Sequence, residues 1–329
     1  MPSSFGQVIP VTGLTLGFAG TVSRLGERVI TARQVLPSTP SNIAFGAPAV
    51  IVSDSLGGTF QSVVDFLTAP AVTVQAATVN AVATITVASA AGIVEGMVAS
   101  GSGIGSNAVV TAIAGLVVTL SAASTSTSSG TVAVTFAIPS GNAKSLRGAF
   151  AGIAVREVKT MLTYPSGTTP GVQQVGYYAP GEMAEVLERG SITVPIAYGT
   201  PAANAQVYLR VVANGALSGT AVGDLEAAAD TAASTTMGTT LGSAVVAVAS
   251  PSGIVVGQIA SGAGIPPNAA VVSISSSNIT LSQPATATVA SGVAVTFSNT
   301  IPLPGALFRT GYLDANNLAE ITITQRNAA

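Results

Sequence analysis

The residues best suited to chemistry in this chain are carboxylates, because its 329 residues include no Cys and no His. That absence removes Ser-His-Asp and Cys-His nucleophiles and the usual zinc sites. Glu182, Glu185 and Glu188 crowd together as a glycosidase pair would, which needs carboxyls about 5–10 Å apart across a cleft. On a strand they read more simply as a solvated edge or an ion-pair surface facing Arg189. Asp224, Glu226 and Asp230 offer the oxygen ligands that calcium takes, but their spacing is not that of an EF-hand and no glycine holds its turn position. Solubilising charge is the plainer reading. Ser53-Asp54-Ser55-Leu56-Gly57 lacks both the second motif of an aspartic protease and the His of a Gly-Asp-Ser-Leu hydrolase, and reads as a strand-end turn. Gly101-x-Gly103-x-Gly105 has no βαβ unit around it, and its counterpart has Pro266 in the third place, so it too is a turn. No catalytic residue, metal site or cofactor is expected, and the chain does not read as an enzyme.

What must position these residues is a chain poor in charge. Only 7% of residues are charged, against roughly a quarter in an average soluble domain. With 36 Gly and 18 Pro scattered among Ala, Val, Thr and Ser, the composition is that of a turn-rich β-protein, since β-branched residues suit pleated surfaces. A net charge of −2 with no basic stripe gives nucleic acid little to bind. The most apolar run, Ala108 to Leu120, is shorter than the ~20 residues of a spanning helix and is broken by Thr111, Gly115 and Thr119. The opening Met1-Pro-Ser-Ser-Phe-Gly6 has neither the basic region nor the apolar run of a signal peptide. No nucleic-acid partner and no membrane association are expected.

The strongest signal is an internal repeat. Residues 85–136 align without a gap to 246–297, with roughly half of the positions identical. Val87-Ala-Ser89 returns as Val248-Ala-Ser250, Gly101-x-Gly103-Ile104 as Gly262-x-Gly264-Ile265, and Val132-Ala-Val-Thr-Phe136 as Val293 to Phe297. Alternating runs between Gly, Asn and Ser turns predict a small antiparallel β-domain in each copy. In the last strand Val132, Val134 and Phe136 share one face, as do Val293, Val295 and Phe297. Between about 70 and 137 the only charge is Glu95, and from 231 to 300 there is none.

The rest of the chain holds nearly all the charge. The expected organisation is a discontinuous β core formed by 1–70, 138–230 and 299–329, with module one at 71–137 and module two at 231–298 inserted in loops, which tolerate insertion well. The expected fold class is all-β: a β-sandwich or jelly-roll-like core carrying two homologous small β-sandwich modules. Val207, Leu209 and Val211 alternate with Tyr208 and Arg210, and Ile321 and Ile323 with Glu320, Thr322 and Thr324. Arg189-Gly190, between Ala184–Leu187 and Ile192–Ile196, reads as a hairpin turn. Phe60, Val63, Val64 and Leu67 have helical spacing.

Five core segments carry a resemblance. They are Phe150-Ala-Gly-Ile-Ala-Val-Arg-Glu-Val-Lys159, Gly176-Tyr-Tyr-Ala-Pro-Gly181 onward to Val194, Val207-Tyr-Leu-Arg-Val211, Gly223-Asp-Leu-Glu-Ala-Ala-Ala-Asp230, and Asn299-Thr-Ile-Pro-Leu-Pro-Gly305 to Ile323. In that order they resemble the structural cement proteins of bacteriophage heads. The resemblance implies a β-rich virion protein that binds the outside of the capsid and oligomerises across junctions between major capsid subunits. The modules look like immunoglobulin-like domains of phage virion proteins, without the Cys-Trp-Cys pattern of true immunoglobulin domains. Expected partners are the major capsid protein and further copies of the chain, as a dimer or trimer. An adhesion protein whose modules bind host surface glycans is the alternative. The candidate contact residues are Arg147, Arg156, Lys159, Glu182, Glu185, Glu188, Arg189 and Arg210, for charge complementarity. Tyr177, Tyr178 and the Pro-rich stretch from Ile301 to Arg309 join them, because aromatics and Arg are enriched at interfaces.

Overall fold

The computed structural model describes residues 16–24, 28–37, 39–52, 58–68, 71–93, 97–105, 108–128, 130–137, 146, 149–156 and 176–324. In chain order, the core opens with β1 (Val29–Gln34), β2 (Ile43–Ala44), β3 (Pro48–Val52), β4 (Thr59–Ser62) and the short helix α1 (Val63–Leu67). Next come β5 (Val72–Ala77), β6 (Thr84–Val87), β7 (Val98–Gly101), β8 (Ala108–Ala114), β9 (Val117–Leu120) and β10 (Val132–Ala137). The core resumes with β11 (Phe150–Ala154), β12 (Tyr177–Tyr178), β13 (Met183–Pro195), β14 (Gln206–Arg210) and β15 (Leu225–Glu226). A second excursion holds β16 (Thr231–Thr239), β17 (Val245–Val248), β18 (Ile259–Gly262), β19 (Ala269–Ser275), β20 (Asn278–Leu281) and β21 (Val289–Ser298). The chain returns through β22 (Thr300–Phe308) and β23 (Leu318–Ile323). The all-β reading holds. The helical spacing is realised only from Val63, where Ser62 caps α1 by accepting from the Asp65 amide; Phe60 belongs to β4.

Each repeat folds into a closed barrel of six strands, in the orders β10-β5-β6-β9-β8-β7 and β21-β16-β17-β20-β19-β18. These are equivalent orders, and the pairing registers match residue for residue. Phe136 faces Val72 and Ala99 in one barrel, while Phe297 faces Ala233 and Ala260 in the other. The expectation of small sandwiches is therefore corrected to barrels. Both barrels carry a register shift at the same point of β8 and β19, between Val110 and Ala112 and between Val271 and Ser273. Bulges bend and twist a strand, which helps six short strands curl until the last pairs with the first. Closure also solves a problem that composition creates. A sheet with almost no charge cannot guard an open edge with Lys or Glu, and a barrel has no edge.

The match extends beyond the sequence repeat. Val72–Ala77 and Ala233–Gly238 share no identity at aligned positions, yet both pair with the last strand in the same register. Ala81 at φ 61° stands where the second copy has Gly242 at φ 79°, and Ser276 at φ 53° stands where the first has Gly115 at φ 60°. A non-glycine residue pays about 1–2 kcal/mol for that conformation, so the turns are imposed by the strands they join.

The core holds a nine-stranded sheet, with the path β15-β14-β22-β23-β13-β11-β3-β4 and β1 added beside β13, and a small two-stranded sheet of β12 and β2. The expected hairpin at Arg189-Gly190 is instead a corner in the continuous thirteen-residue strand β13. Its first half pairs with β1 and β11, its second with β23, and Gly190 turns between them at φ 129°. Sheet and corner pack against two hydrophobic clusters, one gathering Val50, Leu187, Ile192, Leu209 and Ile321 and the other Val35, Phe60, Tyr178 and Val186. Glycine is obligatory at Gly152, where a Cβ would lie 2.1 Å from the Leu187 carbonyl oxygen.

The Pro-rich stretch expected as a contact is central strand β22, between β14 and β23. Pro302 is tolerated there because the β14–β22 pairing is shifted between Gln206 and Tyr208. The Gln206 side-chain amide donates to the Leu303 and Ala306 carbonyls, bonds that an uninterrupted ladder would make with backbone amides.

Candidate interaction surface

Where the second half of β13 leaves Gly190, the sheet carries polar side chains on one face: Ser191, Thr193, Glu320 and Thr322. The segment around Val22 pairs with Ile192 and brings Ser23 and Arg24 over that face. Arg24 grips Glu320 through Nε and one terminal nitrogen of its guanidinium, at 2.6 and 3.1 Å, and the Ser23 hydroxyl donates to the same carboxylate at 2.8 Å. These bonds, and the charge of Arg309 nearby, hold the Glu320 carboxyl below the ordinary range although burial opposes them. Arg309 donates from Nε to Thr322 Oγ1 at 2.8 Å, and the Ser191 and Thr322 hydroxyls meet at 2.6 Å. The result is a groove of about 320 Å³ lined by Arg24, Arg189, Gly190, Ser191, Arg309, Thr322, Ile323 and Thr324.

Arg189 and Arg309, far apart in sequence, are thus brought together. Glu182 and Glu185 are exposed on the other half of the sheet, and Glu188 is half-buried beside the corner. Glu182 accepts the Ala179 amide at 2.7 Å, a local turn bond. Arg156 lies over the exposed Phe18 ring, 4.3 Å from its centroid. Tyr177 is half-buried on β12. Arg147, Lys159 and the stretch Ser53 to Gly57 lie outside the described residues. Arg24, Arg28 and Glu320 were missed as site residues, because no periodicity in the sequence brings 20–28 beside 190 and 320.

Two candidates are corrected, because each is buried with no accessible side-chain surface. Tyr178 donates to the Val155 carbonyl at 2.7 Å and meets Phe45 edge to face at 5.2 Å. Arg210, expected on the solvent face of its strand, is paired with Glu226 at 2.5 Å and Asp230 at 2.8 Å. Asn299 and Asn214 donate to Asp230, and Gln258 of the second barrel donates to Asn299 at 3.1 Å. Glu226 and Asp230 therefore serve an internal ion pair rather than solubility. Among the described residues no group of three or more Asp or Glu is placed to hold a metal ion, and no helix is long and apolar enough to cross a membrane.

A nine-stranded sheet, a doubled barrel and charge concentrated in the core define an all-β protein. The chain belongs to the structural cement protein family of bacteriophages: the family model described as structural cement protein (E217 gp24/Pam3 gp6) matches residues 94–260, just over half of its length. It is accordingly a component of the virion capsid. The matched span begins in the first barrel, crosses β11 to β15 and ends in the second barrel. Neither a curated protein nor a solved structure matches the chain.

Proposed function

We propose that this protein docks on the outer surface of the capsid through its core sheet, stabilises the shell without catalysing a reaction, and holds its two barrels away from it. Membership of the cement family carries the reading. The distribution of charge supports its orientation: Arg24, Arg28, Glu185, Arg189 and Arg309 are exposed on the core, whereas 231–300 has no charge at all. Charged surfaces set register on a repeating lattice, and barrels whose single charged residue is Glu95 offer it almost no ion pairs. The partner is the major capsid protein, and copies of the chain associate as a dimer or trimer around a local symmetry axis, where identical surfaces recur. Cryo-electron microscopy of heads with and without the protein tests this. Density on the outer face with two distal lobes per copy is expected, together with earlier thermal rupture of heads lacking it. Density inside the shell or confined to the tail overturns it.

A further inference from the structure

We infer that the arginine groove at the Gly190 corner is the part of the core that grips the capsid, and that it takes carboxylate side chains from an acidic loop of the shell protein. The inference rests on the capsid-docking reading above and names the chemistry of its contact. Three of the eight residues lining the groove are arginines, and none of the eight is acidic. This concentration stands out in a chain with 11 Lys and Arg in all. A fourth, Arg28, is exposed and starts within 3.2 Å of where a Gly190 Cβ would stand. The carboxylate nearest the floor, Glu320, is already held by Arg24 and Ser23. Arg24 and Glu320 thus show, within the chain, the bidentate fork that the groove offers to a visiting carboxylate. The Thr322 hydroxyl fixes Arg309 through Nε at 2.8 Å, so the guanidinium is held at the groove. Arg189 lies in β13, and Arg309 directly follows β22 with its amide bonded to the Glu320 carbonyl of β23, so these two arginines stand on one hydrogen-bonded sheet. A rigid base keeps the ordering cost of binding low.

Phosphate groups would be drawn by the same guanidiniums, but a net charge of −2 and the small extent of the groove favour a short carboxylate-bearing segment over a nucleic acid. The test is binding of the full-length protein to purified heads stripped of it, at several salt concentrations, with short duplex DNA as a second probe. Arg189→Glu with Arg309→Glu should weaken head binding about tenfold or more and flatten its salt dependence. The milder Arg189→Gln with Arg309→Gln, checked for native circular dichroism, should show a smaller loss in the same direction. Replacing acidic loop residues of the shell protein by Lys should restore binding of the Glu variant. Wild-type-like binding of a folded double variant overturns the groove assignment while leaving capsid docking intact. Failure of the wild-type protein to bind heads overturns docking itself and the groove with it. Loss of DNA binding without loss of head binding assigns the groove to phosphate and overturns the carboxylate reading.

Discussion

The two barrels share strand order, register and turn positions, and they differ in what lies beside them. The interior of the first is drawn entirely from its own strands and turns. The second has an interior of the same kind, but Ile259 and Ala270 on its outside belong to the hydrophobic cluster of the core. It is also tied by polar bonds, through Gln258 to Asn299, Asp230 and Arg210. The position of Gln258 is occupied by buried Met97 in the first barrel. Internal bonds, by contrast, are kept in both: Ser121 accepts the Val109 amide and Ser282 the Ala270 amide, each at 2.9 Å. A duplicated sequence therefore preserves the fold, and among the described residues the exchange of Met97 for Gln258 accompanies a polar tie between the second barrel and the core.

Excision is the harshest way to break this comparison. Val72 pairs with Phe136, and Asn299 donates to the Asp230 carbonyl, so the two ends of each excursion are adjacent and a short linker can close either gap. Replacing 72–137 should leave a folded core with the second barrel. Replacing 231–298 strips cover from the core cluster and from Arg210, and should give an insoluble or molten product. Near-ultraviolet circular dichroism and a cooperative melt distinguish these outcomes; equal tolerance of both excisions would remove the distinction between the barrels.

Arg210→Ala comes next. It leaves Glu226 and Asp230 buried without their cation, a loss of about 3–5 kcal/mol for a broken buried pair. Hydrogen exchange should show the core and the second barrel loosened together and the first barrel unchanged. Adding Glu226→Leu to Arg210→Met should recover part of the loss, because an apolar pair of similar volume needs no partner.

Exchanging the residues at the marker position sharpens the contrast further. Gln258→Met deprives Asn299 of a buried donor, and Met97→Gln buries an amide in an apolar barrel; each should cost about 1–3 kcal/mol in denaturant titration. The first should weaken attachment of the second barrel, and the second only the first barrel's own stability. Protection changes that spread from Met97→Gln into the core would contradict the self-contained reading.

Acidification gives the smallest effect, because the two acids of the junction shift in opposite directions. Burial raises Asp230, but hydrogen bonds from Asn299, Asn214 and Arg210 outweigh it and hold the carboxyl below its ordinary range. Its stabilisation is present above the unfolded value of about 3.9 and is lost as pH falls through the lower folded value. Glu226 is raised, chiefly by burial, so its contribution is present at low pH and shrinks as pH rises through its folded value. Protection of the Val211 and Asn299 amides should therefore rise modestly as pH falls through the folded value of Glu226 and then fall below about pH 4. Asp230→Asn should remove that fall; a steep loss between pH 6 and 5, in either protein, would contradict the assignment.

Much of this architecture was legible in the residues. The repeat, its strands and the inward set Val134 and Phe136 follow from period-two alternation, which needs only local geometry. Gly190 was misread because a glycine between two apolar runs has the same local signature in a hairpin and in a corner; only its partners β1, β11 and β23 distinguish them. Arg210 was misread for a similar reason. Alternation places it opposite Leu209, toward a face that is solvent in an isolated sheet but holds Glu226 and Asp230 in this one.

The sequence by itself determined the class, the doubling and the shared inner face of the two modules, since these rest on side-chain period and on turns spanning a few residues. Barrel closure, the corner in β13, the burial of Arg210 and the meeting of Arg24, Arg189 and Arg309 were decided by tertiary structure. Each joins segments distant along the chain: Arg24 reaches Glu320 and Arg189 shares a groove with Arg309. No local pattern encodes such meetings, because they depend on which strand is hydrogen-bonded to which, and that choice is made by the burial of the whole sheet.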